Sequence, residues 1–146
     1  MSPLMAGVKY SRLDMSSCDL YVDDKSASDE LIQRTKDAIS KSKELPLGDA
    51  VYYLTQYNDK GRRIGQKENA PEVIIRNVFI DHDATLINDL ISKSRLIKSY
   101  AFSIGDKYRN GIITWEDGLK ELERRVPGFG IKTYQSVINL GYIQSR

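Results

Sequence analysis

Two glycines one residue apart, followed by a lysine and a threonine, stand near the C-terminal end of the chain in Val126-Pro127-Gly128-Phe129-Gly130-Ile131-Lys132-Thr133. Glycine tolerates positive φ and lets the backbone approach another surface without Cβ interference. Successive N–H groups at such a turn, together with the N-terminus of a helix starting at Ile131, form a concavity that suits a phosphate oxygen. Lys132 adds a charge there and Thr133 a hydroxyl donor. Contacts of this kind reach a nucleic-acid backbone and not the base edges. The binding they imply is therefore independent of sequence and sensitive to salt.

The segment from Leu122 to Tyr142 resembles the helix-hairpin-helix family, locally, over residues 115–142. That family joins two helices by an aliphatic-Pro-Gly-aliphatic-Gly turn, then shows a Lys-Thr-like helix start, paired aliphatics and a closing glycine. Here Val126, Gly128, Phe129 and Gly130 occupy the turn, and Lys132 and Thr133 open the second helix. Val137 and Ile138 face back into the core, and Gly141 ends the helix. The resemblance implies a DNA or RNA backbone held at Gly128, Gly130, Lys132 and Thr133. One position departs from the pattern: Tyr134 stands where the family has a small residue, so it is expected to splay the two helices or to point outward.

A single turn of this kind needs a second contact surface. Lys60-Gly61-Arg62-Arg63-Ile64-Gly65-Gln66-Lys67 is the candidate, with Lys60, Arg62, Arg63 and Lys67 at the tip of an expected hairpin and Tyr52, Tyr53 and Tyr57 beside it. Cations with aromatics nearby can track a phosphate backbone or stack on bases. Other signals carry less. Asp106 to Asp117 mimics a calcium loop, but Tyr108 and Asp117 stand where that loop needs a ligand and a bidentate glutamate, so a joint between helices is expected. Asp81-His82-Asp83 contains the only histidine, and Cys18 is the only cysteine, so no metal site is expected. No Ser/His/Asp or Cys/His pairing and no nucleotide-hydrolase phosphate loop is visible, and neither catalysis nor a cofactor is assigned.

The elements that must position these residues follow from local pattern. Residues 1–17 read as a loose arm. Strands are expected at 19–22, at 50–57 (turning at Asn58-Asp59-Lys60-Gly61 into 62–65, with a helix beginning after Gly48 as the alternative) and at 72–80, because these runs are rich in β-branched and aromatic residues. Between the first two lies a helix capped by Ser28, with Leu31, Thr35, Ala38, Ile39 and Ser42 on one face, stopped before Pro46. From Asp83 the period becomes helical: Leu86, Ile87, Leu90, Ile91, Leu96, Ile97 and Ala101 form one face of a helix ending near Gly105. Thr114 caps the next helix, and the last runs from Ile131 to Leu140. The expectation is thus α+β: an arm (1–17), a small N-terminal sheet with one helix (18–83), and a helical part (84–146) carrying the hairpin-like pair around 126–133.

Charge is unevenly spread. Residues 1–83 carry 12 Lys/Arg against 14 Asp/Glu, and residues 84–146 carry 10 against 6, so the C-terminal part is the better face for a polyanion. No run approaches the ~20 apolar residues of a membrane span, and a single cysteine suits a reducing cytoplasm. Two functions are expected to compete. One is a small non-enzymatic accessory protein contacting nucleic-acid phosphates. The other is a protein–protein interaction or assembly subunit, or an inhibitor within a larger complex, in which the glycine turn only joins two helices. The nine tyrosines favour the latter, since Tyr buries much area at little entropy cost.

Overall fold

The computed structural model describes residues 28–61 and 71–144. Within them run α1 (Asp29–Ser42), α2 (Leu47–Gly61), the single turn α3 (Ile75–Val78), the long α4 (Ala84–Arg109), α5 (Trp115–Arg125) and α6 (Ile131–Gln144). Helix α1 forms where its cap and periodicity place it. Ser28 Oγ accepts the Leu31 N–H at 3.3 Å, Asp29 and Glu30 sit in the first turn, and Thr35, Ala38, Ile39 and Ser42 are buried.

No sheet is present among the described residues, and this corrects the α+β expectation. Residues 50–57 belong to α2. Their β-branched and aromatic content suits a strand locally, but the buried set Ala50, Val51, Leu54, Thr55 and Asn58 recurs with helical spacing. Packing of that stripe against neighbouring helices outweighs a weak strand preference. Asn58 to Gly61, expected as a hairpin turn, is the last turn of α2. The 72–80 run is extended only as far as Ile74 (φ −85°, ψ 92°) before α3 begins. A side chain of α2 holds this stretch: Asn58 Nδ2 donates to the Val73 carbonyl at 3.0 Å, and Asn58 Oδ1 accepts the Val73 N–H at 2.8 Å. One buried amide thus satisfies both backbone groups of Val73. The strand expected at 19–22, the return strand at 62–65 and the arm at 1–17 lie outside the described residues.

Helix α4 is the spine, and two hydrophobic clusters divide its length. Ile87 and Leu90 of α4 pack with Ala38 and Ile39 of α1, Val51 and Leu54 of α2, and Val73, Ile75 and Val78. Ile97, Ala101 and Ile104 pack with Leu122 and Val126 at the end of α5 and with Tyr134, Val137 and Ile138 of α6. Between the clusters lies buried Ser94, whose hydroxyl returns to the Leu90 carbonyl at 2.8 Å. Leu86 and Leu96, expected on the packed face, are 43% and 47% exposed.

Among the described helices the α4–α6 pairing is the most extensive, and glycine makes it possible. A Cβ on Gly105 would lie 2.4 Å from the Tyr142 nitrogen, and one on Gly141 would lie 2.3 Å from the Ala101 carbonyl oxygen. Both glycines, read in the sequence as helix ends, are inside helices and bring the two backbones into contact.

Candidate interaction groove and the glycine turn beside it

The Pro127-Gly128-Phe129-Gly130 turn connects α5 to α6, with Gly128 at φ +119°, a conformation that L side chains rarely adopt. It is pressed against the first turn of α2. A Cβ on Gly48 would overlap the Gly128 carbonyl oxygen at 1.9 Å. Asp49 then fills the concavity that the sequence suggests for a phosphate: its Oδ1 accepts the Gly130 N–H at 2.8 Å and the Thr133 hydroxyl at 2.6 Å. Two of the expected phosphate donors are therefore bonded to a carboxylate of the same chain. Lys132 is exposed beside them.

Tyr134 neither points outward nor disrupts the joint. It is buried, its hydroxyl donates to the Val126 carbonyl at 2.7 Å, and the Phe129 N–H approaches that oxygen at 3.4 Å. Burial pushes its phenol above the ordinary tyrosine value. Tyr134 thus spans the turn from within, and its ring meets Phe129 edge-on at 6.0 Å. Phe129 in turn meets Tyr52 of α2 edge-on at 6.1 Å, so an aromatic chain links the turn to the flank of α2.

That flank opens a groove. Helices α2 and α6 meet at their first turns through Asp49 and Thr133 and leave a concavity of about 750 Å³ between their later turns, with Lys98 of α4 also lining it. Tyr52, Tyr53 and Tyr57 line the α2 wall, and Leu140 and Ile143 the α6 wall. Leu140 is 36% exposed and Ile143 46%. Burial holds the Tyr52 phenol neutral, with its pKa pushed up to about 12. Tyr57 is fixed by its hydroxyl, 2.7 Å from Thr35 Oγ1 of α1. Lys98 Nζ donates to Gln56 Oε1 at 3.1 Å, which leaves the buried Gln56 Nε2 with no acceptor among the described residues.

Among the described residues, the sequence-predicted site residues fall at two separate places. Gly128, Gly130, Lys132 and Thr133 lie at the turn, next to the start of α2. Lys60 lies in the last turn of the same helix, about 17 Å further along its axis at 1.5 Å per residue. Arg62, Arg63 and Lys67 lie outside the described residues. Much of the C-terminal basic excess is internally paired: Lys93 with Asp89 at 3.0 Å, Arg95 with Asp59 at 3.5 Å and Arg109 with Asp106 at 3.2 Å. Glu121 accepts from both Arg125 and Arg124, which hold its carboxyl below the usual range. In the calcium-like loop, Asp106 accepts from Arg109 and Asn110 side chains, and Thr114 caps α5 by accepting the Asp117 N–H at 3.1 Å. Among the described residues no group of His, Cys, Asp and Glu could hold a metal ion, and no helix is long and apolar enough to cross a membrane.

Asp49, Leu140 and Ile143 are the participants that sequence reasoning missed. The signal for the groove was present in Tyr52, Tyr53, Gln56 and Tyr57, whose spacing marks one helix flank once the segment is read as a helix. The chain was compared with protein-family models, curated proteins and solved structures, and none of them matches.

Proposed function

We propose that this chain is a non-enzymatic interaction subunit that binds a protein partner in the groove between α2 and α6. One observation carries the reading: three tyrosines and two half-exposed aliphatic side chains line an open concavity beside a rigidly braced turn. Tyr with aliphatic anchors in a partly dry pocket is the composition that interface centres favour. A reducing compartment such as the cytoplasm suits a chain with a single cysteine. A photo-crosslinking residue at position 140 should capture a discrete protein in the chain's own cells. The same residue at position 86 should not, and Tyr53→Ala should weaken the capture. Equal labelling from both positions, or none from position 140, would refute the reading.

Sequence-independent nucleic-acid binding through the turn is the second reading, supported by exposed Lys132 and the basic excess of residues 84–146. It requires a phosphate to replace Asp49 on Gly130 and Thr133. If the turn grips phosphate, Asp49→Ala raises the affinity for duplex or single-stranded DNA in a salt-titrated gel shift and Lys132→Glu lowers it. Unchanged affinity in both variants excludes it.

A further inference from the structure

The groove has an electrostatic character that its apolar walls do not require. Lys98 is half-buried at its lining, and among the described residues its partner is a neutral amide oxygen, that of Gln56 at 3.1 Å. A partly desolvated ammonium gains little from such an acceptor compared with a carboxylate. Because Lys98 can only donate, it fixes the orientation of the Gln56 amide and turns Nε2 into a buried donor with no acceptor among the described residues. Lys60, exposed at the end of α2, also lines the groove and pairs with no carboxylate among the described residues. The one carboxylate in the lining, Asp59, is already held by Arg95 at 3.5 Å. The groove therefore presents apolar anchors together with an excess of donors. What is missing is a set of negatively charged acceptors on the other side.

We infer that the partner is an acidic amphipathic helix, laying Leu- or Phe-type side chains against Tyr52, Tyr53, Leu140 and Ile143 and directing Asp or Glu carboxylates at Lys98 and Lys60. This inference rests on the groove being the binding surface. It adds the class of partner: helix-in-groove recognition, in which apolar residues recur at i, i+3, i+4 and i+7 and charges flank the stripe. A carboxylate reaching Lys98 would also free the Gln56 side chain to turn its amide toward an acceptor, so that both donors are satisfied at once. The α6 wall, with Ser136, Asn139 and Gln144, is uncharged and places no acid opposite such a partner.

The test is a display library of randomised 16-residue helical peptides, selected on the full-length chain and counter-selected on a Leu140→Asp variant of unchanged circular dichroism. Acidic amphipathic sequences should be enriched on the native chain. The best peptide should lose about tenfold in affinity for each of Lys98→Gln and Lys60→Gln, as expected for removal of a charge-assisted contact. Its Glu-to-Gln analogue should bind the native chain as weakly as the original binds the double variant. An enriched set that is uncharged or basic, yet still lost with Leu140→Asp, would overturn the acidic inference and leave the groove reading standing. Absence of any sequence distinguishing the native chain from Leu140→Asp would overturn both. Self-association in sedimentation equilibrium that Leu140→Asp abolishes would assign the groove to a second copy and likewise overturn the inference.

Discussion

The two hydrophobic clusters share α4 and hold their helices to it in different ways. Around Ile87 and Leu90, branched side chains keep α1, α2 and α3 at a side chain's distance, and long-range polar bonds fix their positions: Thr35 with Tyr57, Asn58 with Val73. Around Ala101 and Gly105, small residues bring the α6 backbone into direct contact with α4, and Tyr134 closes the adjoining turn from inside. The first arrangement fixes orientation through side-chain complementarity, and the second through backbone proximity. The groove lies where they meet. The buried apolar residues of α2 belong to the first cluster and those of α6 to the second; their first turns meet at Asp49 and Thr133, and Tyr52 reaches from α2 to the second cluster.

If backbone proximity defines the second cluster, enlarging Gly141 should be the most damaging change in the molecule. Gly141→Leu must part α4 from α6, and a loss of about 4 kcal/mol or more is expected by urea unfolding. A similar enlargement in the first cluster, Ala38→Leu, should cost only about 1–3 kcal/mol because side chains there can shift. Equal losses would erase the distinction. Next comes Asn58→Ala, which strands a buried N–H and a buried carbonyl at Val73, with an expected loss of about 3 kcal/mol. Protection of the Val73 amide in hydrogen exchange should fall with it. Tyr134→Phe removes one buried donor from the Val126 carbonyl and should cost about 1–2 kcal/mol. A loss as large as that of Asn58→Ala would mean that the second cluster also depends on polar fixing.

At neutral pH the remaining effect is silent; it is one of pH. The Tyr52 phenol is raised from 10.0 to about 12 in the folded chain. The unfolded chain therefore ionises first as pH rises, and stability present below pH 10 is lost between about 10 and 12. Tyr52→Phe should make stability fall less steeply across that window, measured as Tm against pH. An unchanged slope would mean that the α2 wall of the groove is wetter than its packing against Phe129 implies.

Helices with strong ends were legible. Ser28 and Thr114 act as caps, the Thr35, Ala38, Ile39 and Ser42 stripe is buried, and Val137 and Ile138 face the core. In these segments local hydrogen bonding and periodicity agree. The 50–57 and 72–80 runs are ambiguous in sequence because Val, Ile, Tyr and Phe are compatible with either state. In 50–57 composition favours a strand, while the helical recurrence of Ala50, Val51, Leu54, Thr55 and Asn58 is what packing selects. Gly105 and Gly141 misled for a related reason: a glycine that ends a helix and one that admits a neighbouring backbone are identical in sequence. The candidate site fared similarly. Its turn was visible at Gly128 and Gly130, while the carboxylate that fills it stands 81 residues from Gly130.

By itself the sequence determined what depends on neighbours within a turn or two: where capped helices begin, which of their faces are apolar, and that Val126 to Thr133 makes a tight joint. Only the tertiary structure decided that α2 is a helix, that Asn58 ties it to the Val73 backbone and that Asp49 occupies the turn. It also set α2 and α6 side by side with an aromatic, cation-lined groove between them. These are contacts between residues distant in the chain, and their energy exists only once α4 has brought the two clusters together.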